Sequence, residues 1–154
     1  MVCLGNICRS PIAEGVLQHL AKKNGLQWEI DSAGTLPFHI GEPPHPFSCI
    51  ISKKNGIDIS NQTSRLFVKE DFERYDVIFS MAKDVIDDVF KISSTNFDSG
   101  KIRLLMDTIY PGEGRDVPDP YYGNEKDYEP VFKMIFNACA AFIEQQTNPA
   151  NKTN

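Results

Sequence analysis

The 154-residue chain is predicted to fold as a single α/β domain, with a central parallel sheet of about four strands and helices on both faces. Three observations carry that reading. Strand-like and helix-like segments alternate along the chain, no internal repeat or low-complexity block interrupts them, and the length suffices for one sizeable core. With 41% hydrophobic and 24% charged residues, the composition is that of an ordinary globular protein.

Taken in order, Met1 and Val2 lead into Cys3 as the visible end of a first strand. Ile12, Val16, Leu17 and Leu20 then recur at helical spacing. Serine suits an N-cap and proline the first helical position, so Ser10-Pro11 predicts a helix starting directly after Arg9 and ending at Asn24-Gly25. "LQWEID" (26–31) reads as a short strand, and "FSCIISKKNG" (47–56) as a helix stopped by Gly56. "KEDFERY" (69–75) is a short helix, "DVIFSM" (76–81) a buried strand, "AKDVIDDVFK" (82–91) a helix and "KIRLLM" (101–106) a strand. Tyr128, Val131, Phe132, Ile135, Ala138, Cys139 and Phe142 form the apolar stripe of a last helix. Residues 146–154 are expected to fray, and 1–154 is read as one domain.

The net charge of −5 lacks the basic footprint of a non-specific nucleic-acid binder, though a small anion needs only local positive potential. No apolar run approaches the roughly 20 residues of a membrane span, and no secretory signal is visible, so a cytoplasmic protein is expected. Cys3, Cys8, Cys49 and Cys139 contain no CxxC pair, and His19, His39 and His45 are scattered, so neither a metal nor a cofactor is expected.

The chemistry concentrates in "CLGNICRSP" (3–11). Five residues separate Cys3 from Arg9, enough for Leu4, Gly5, Asn6, Ile7 and Cys8 to curl with their N–H groups pointing inward. Such a nest at a helix N-terminus holds a tetrahedral oxyanion, which makes this a phosphate-binding loop after the first strand. Gly5 is expected to supply a positive φ, and Arg9 a permanently charged fork that grips two oxygens. The same field should lower the Cys3 thiol below its ordinary value of about 8.5 and favour a nucleophilic thiolate. Farther on, "DVPDPYYG" (116–123) sets Asp119 between two prolines on a stiff loop. If that loop faces Cys3, Asp119 can protonate a departing oxygen and later deprotonate the attacking water.

These residues resemble the low-molecular-weight protein tyrosine phosphatases over nearly the whole chain, through "CLGNICRSPIAEGV", "DSAGT" (31–35), "GIDIS" (56–60), "KEDF" (69–72) and "DPYYG" (119–123). The resemblance implies hydrolysis of phosphotyrosine and small aryl phosphates through a cysteinyl-phosphate intermediate. It implies Cys3 as nucleophile, Arg9 as phosphoryl binder and Asp119 as general acid. Asn6 and Ser10 would hold the loop and hydrogen-bond the thiolate, and Cys8 would pair reversibly with Cys3 on oxidation. Phe38, Tyr121 and Tyr122 would wall an aryl slot, with Ile7 at the loop. Phosphotyrosine-containing proteins or small aryl phosphates are the implied partners, met by a monomer or weak dimer.

Four departures stand out. Met1 and Val2 alone precede Cys3, short of the usual strand of about 5–6 residues, so further apolar residues are expected before them unless Met1-Val2 are the visible end. Gln62 aligns with a histidine expected to support the loop serine. Ala82 replaces an aspartate after the strand methionine, and Val68 a threonine that would cap the short helix. Three rival readings share these residues. A protein-arginine phosphatase would favour a small polar residue at Ile7, and a thioredoxin-coupled arsenate reductase would need relay thiols where Cys49 and Cys139 look like core. A non-catalytic phosphate-binding module would lack the nucleophile or the acid.

Overall fold

In the computed structural model, which describes residues 1–148, four short parallel strands lie side by side. They are β1 (Val2–Cys3), β2 (Ala33–Gly34), β3 (Ile78–Ser80) and β4 (Ile102–Leu104), in the order β2-β1-β3-β4. Parallel neighbours need crossovers, and helices supply them. α1 (Arg9–Lys23) links β1 to β2, α2 (Pro46–Lys54) and α3 (Asp71–Arg74) lie between β2 and β3, α4 (Lys83–Ser93) links β3 to β4, and α5 (Glu125–Thr147) follows.

Alternate strand residues point to opposite faces. Val2 and Ile78 join Phe67, Phe72, Val85 and Val89 on one side, while Cys3 and Phe79 join Ile12, Val16, Ile135 and Phe142 on the other. The domain is therefore a sheet between two helical layers, as expected, with α1 packed along α5. Each fully buried aliphatic or aromatic side chain contributes about 1.5–3 kcal/mol.

Several boundaries differ from the sequence reading. No strand forms over 26–31. Since β1 begins at Val2, the ladder starts only where Val2 faces Ala33 and Cys3 faces Gly34, and 26–31 has no strand alongside. A helix side chain takes over part of that role, Gln18 Nε2 donating to the Ile30 carbonyl at 3.0 Å. α1 begins at Arg9 with no side-chain cap, because the Ser10 hydroxyl is turned toward the Cys3 sulfur instead. Strand 101–106 is shortened to three residues, Leu105–Thr108 tightening into a 3-10 turn. α5 keeps residues 146 and 147 helical, and the remainder of the expected frayed tail, 149–154, lies outside the described residues.

Candidate active site

The loop leaves β1 at Cys3, which is only 3% exposed, and enters α1 at Arg9. Two groups face the sulfur: the Asn6 N–H at 3.3 Å and the Ser10 hydroxyl at 3.0 Å. The positive φ expected at Gly5 belongs to Asn6, at 55°, a conformation asparagine tolerates better than most residues. At Gly5 the want of a side chain gives clearance, since a Cβ there would stand 3.0 Å from the His39 ring and the imidazole would have to give way by a few tenths of an ångström. Gly34 is more constrained still: its Cβ would sit 2.6 Å from the Leu4 carbonyl oxygen, so only glycine lets the loop lie this close to β2.

Asn6 is the hub of the loop. Its Nδ2 donates to Ser10 Oγ at 2.8 Å and to Ser32 Oγ at 2.9 Å, and its Oδ1 accepts the Arg65 N–H at 3.0 Å. The Ser32 hydroxyl in turn donates to Glu14 Oε2 at 2.5 Å, and burial pushes the Glu14 carboxyl up. Ser64 Oγ donates to the Gly5 carbonyl at 3.1 Å. Behind them, the Arg65 guanidinium clasps Asp71 through two bonds and Asp31 through a third. Burial alone would lower the Arg65 pKa, but Asp71 and Asp31 outweigh it and keep the guanidinium charged. Sequence reasoning missed Glu14, Ser32, Ser64 and Arg65 as site residues. One signal was available, a glutamate on the apolar face that Ile12, Ala13 and Val16 define on α1. Gln62, assigned to the loop serine, donates to the Pro11 carbonyl at 3.0 Å instead.

Arg9 is 4% exposed and fastens the second loop. Its Nη1 donates to the Val117 carbonyl at 3.0 Å and its Nη2 to Asp119 Oδ2 at 3.2 Å. Asp119 Oδ1 accepts the Tyr121 N–H at 3.1 Å, which holds the carboxylate in one orientation while it stays partly open to solvent. Two hydrogen-bonded groups result, one of Cys3, Asn6 and Ser10 and one of Arg9 and Asp119, and the chain from Cys3 to Ser10 carries both.

The remaining candidate residues differ in their setting. Ile7 is buried in the core under the loop, with its carbonyl accepting the His45 N–H at 2.8 Å. Cys8 is buried beside the Tyr128 hydroxyl at 3.4 Å, and burial pushes its thiol up to about 11. Of the three expected slot walls, Tyr121 packs near the rings of His39, His45 and Tyr122, whereas Phe38 and Tyr122 stand 76% and 96% exposed. Burial pulls the His45 pKa down, and its ring stacks on Tyr128. Both histidines border the site although their spacing carries no motif. Cys139 is fully buried, its thiol pushed up to about 12 by burial, and Cys49 is half-buried. Among the described residues no group of three or more His, Cys, Asp or Glu side chains is placed to hold a metal ion. A cavity of about 430 Å³, bordered by Trp28, Asp31, Arg65 and Tyr75, touches none of Cys3, Arg9 or Asp119.

A cysteine sulfur, a buried arginine and a carboxylate on one α/β scaffold are the side-chain types that a phosphoric monoester hydrolase with a cysteine nucleophile requires. The family model for low molecular weight phosphotyrosine protein phosphatase matches residues 1–152, and the chain belongs to that family. It is 41% identical to a low molecular weight phosphotyrosine protein phosphatase of Gallus gallus, covering 94% of this chain and 92% of the relative. The crystal structure of YfkJ from Bacillus subtilis superposes with a TM-score of 0.83 at 35% identity, covering 96% and 93% of the two chains. That of DARP, a drosophila arginine phosphatase, reaches 0.87 at 30% identity and covers 96% of each. The enzyme class is protein-tyrosine phosphatase, and the cysteinyl-phosphate mechanism is general for the family.

Proposed function

We propose that Cys3 is the nucleophile, Arg9 the phosphoryl clamp and Asp119 the general acid of phosphotyrosine hydrolysis. One observation carries the reading: on the loop that leaves β1 at Cys3, the Ser10 hydroxyl faces the Cys3 sulfur at 3.0 Å while the adjacent Arg9 draws the Asp119 carboxylate to 3.2 Å. The Cys3 sulfur attacks phosphorus, Arg9 binds two equatorial oxygens, and the P–O bond to the phenol breaks as Asp119 delivers its proton to the leaving oxygen. Water then attacks the cysteinyl phosphate, gives its proton to Asp119 and releases phosphate with the sulfur restored. Asn6 and Ser10 keep the sulfur and the loop amides in register, and Tyr121, with Phe38 and Tyr122 at the mouth, receives the ring.

Cys3→Ser is expected to lose turnover of an aryl phosphate by at least about three orders of magnitude while vanadate still binds, since the cradle is backbone plus Arg9. Turnover surviving in that variant would remove Cys3 from the role.

A second reading, phosphoarginine hydrolysis, is favoured by the likeness to DARP. Ile7 speaks against it, because it brings no hydroxyl to the loop for a guanidinium. Parallel assays with phosphotyrosine and phosphoarginine peptides separate the two, and faster turnover of phosphoarginine would reverse the preference. Arsenate reduction finds little support from Cys139, whose buried thiol is pushed up to about 12.

Cys8 is the residue we assign to reversible protection of Cys3: peroxide oxidises the Cys3 thiolate to a sulfenic acid, and the Cys8 sulfur displaces its hydroxyl as water to form the disulfide. Its raised pKa keeps it a thiol at neutral pH, so capture should quicken as pH rises toward 11. Free thiols at the centre suit a reducing compartment such as the cytoplasm. Among the described residues no helix is long and apolar enough to cross a membrane.

A further inference from the structure

α4 starts without a cap of its own. Ala82 occupies the N-cap position in extended conformation and has no side chain to accept a hydrogen bond. The missing carboxylate arrives from another part of the chain, the Lys83 N–H donating to Asp116 Oδ1 at 2.9 Å. Asp116 begins the loop that carries Asp119. The next residue, Val117, donates its N–H to the Met81 carbonyl at 2.7 Å and accepts Arg9 Nη1 at 3.0 Å. Upstream, the loop is braced within itself, with the Arg115 guanidinium 3.8 Å from the Tyr110 ring centroid and paired to Glu113. Pro118 and Pro120 stiffen the segment, and the buried Pro120 holds it on the far side of Asp119. A stiff loop can still swing as a unit about a weak attachment, and the side chain of Asp116 adds an attachment before the turn.

We propose that Asp116 is a positioning residue for the reaction: by capping α4 from outside it fastens the acid loop to the end of β3 and sets where the Asp119 carboxyl stands relative to Cys3. This rests on the reading of Asp119 as the general acid.

The test measures kcat/KM over a series of aryl phosphates with leaving groups of rising basicity, because only a basic leaving oxygen needs the proton. Asp116→Ala is expected to slow the poorest leaving groups about 5- to 20-fold and the best less than about 2-fold. Asp116→Asn, whose amide oxygen can accept the same N–H, is expected to stay within about 2-fold of the parent throughout. The double variant Ala82→Asp, Asp116→Ala restores a cap to α4 but leaves the acid loop unfastened. Its melting temperature is expected to recover while the leaving-group defect persists.

Equal slowing across the series, or recovery of both properties in the double variant, would reduce Asp116 to a helix cap and overturn the proposal. Asp119→Ala is measured alongside. A flat leaving-group response there brings down the acid assignment and this proposal with it, whereas a selective response there with a flat one in Asp116→Ala brings down the fastening alone.

Discussion

The floor and the mouth of the site are built on opposite terms. On the floor, Asn6, Arg9 and Ser10 are almost wholly buried, and their side chains are bonded to groups from β1, α1, residues 32–65 and the 116–119 loop. At the mouth, Phe38 and Tyr122 project into solvent, and the packing of Tyr121 is to other rings. Transition-state charge is best met by dipoles that need no rearrangement, whereas an incoming aryl group needs only apolar area. The contrast teaches that error is tolerated where recognition happens and not where charge develops.

Breaking the floor should therefore cost most. Arg9→Lys keeps the charge but loses the planar fork that reaches Val117 and Asp119 together. We expect kcat/KM for an aryl phosphate to fall about 100-fold or more in steady-state assays. Asn6→Ala takes one hydrogen bond from Ser10 and one from Ser32, removes the side-chain acceptor of the Arg65 N–H and puts alanine at a φ of 55°. We expect a loss of about 2–4 kcal/mol in urea unfolding and a fall of about 10-fold in kcat. Retention of both would show that the hub is dispensable.

The buried thiols sharpen the contrast through pH. Cys8 rises from 9.0 to about 11 on folding because burial disfavours its thiolate. A pKa raised in the folded state means full stability below pH 9, lost as the pH climbs through 11. Cys8→Ala should therefore show a shallower decline of the urea midpoint between pH 9 and 11 than the parent. The smallest effect belongs to the mouth. Phe38→Ala and Tyr122→Ala are expected to change stability by less than about 0.5 kcal/mol and to raise KM a few-fold, with kcat unchanged. A large fall in kcat would place these rings on the floor's side of the divide.

Much of this division is legible in the sequence, and its gaps have physical causes. Cys3, Arg9 and Ser10 are close in sequence and flank a helix start, so their convergence follows from local geometry. Glu14, Ser32, Ser64 and Arg65 meet the loop only through the crossovers, and nothing in their spacing points to Asn6. The positive φ was sought at glycine on intrinsic preference, but hydrogen bonds to the asparagine side chain decide the position, and glycine is spent on clearance instead. The strand read over 26–31 fails for a non-local reason, since a β-strand exists only beside a partner. Ala82 looks like a lost cap until Asp116 is seen to supply it.

The contact between Arg9 and Asp119 has a consequence for selectivity by charge. One guanidinium serves a carbonyl and a carboxylate. On the roles proposed for Arg9 and Asp119, an entering phosphate monoester competes for that guanidinium, and in displacing Asp119 it frees the carboxyl for the leaving oxygen. Docking and arming are then a single exchange of partners. On the same reading a dianion offers more to the exchange than a monoanion, so phosphodiesters and neutral esters are expected to be refused before any contact with the aromatic rim is made.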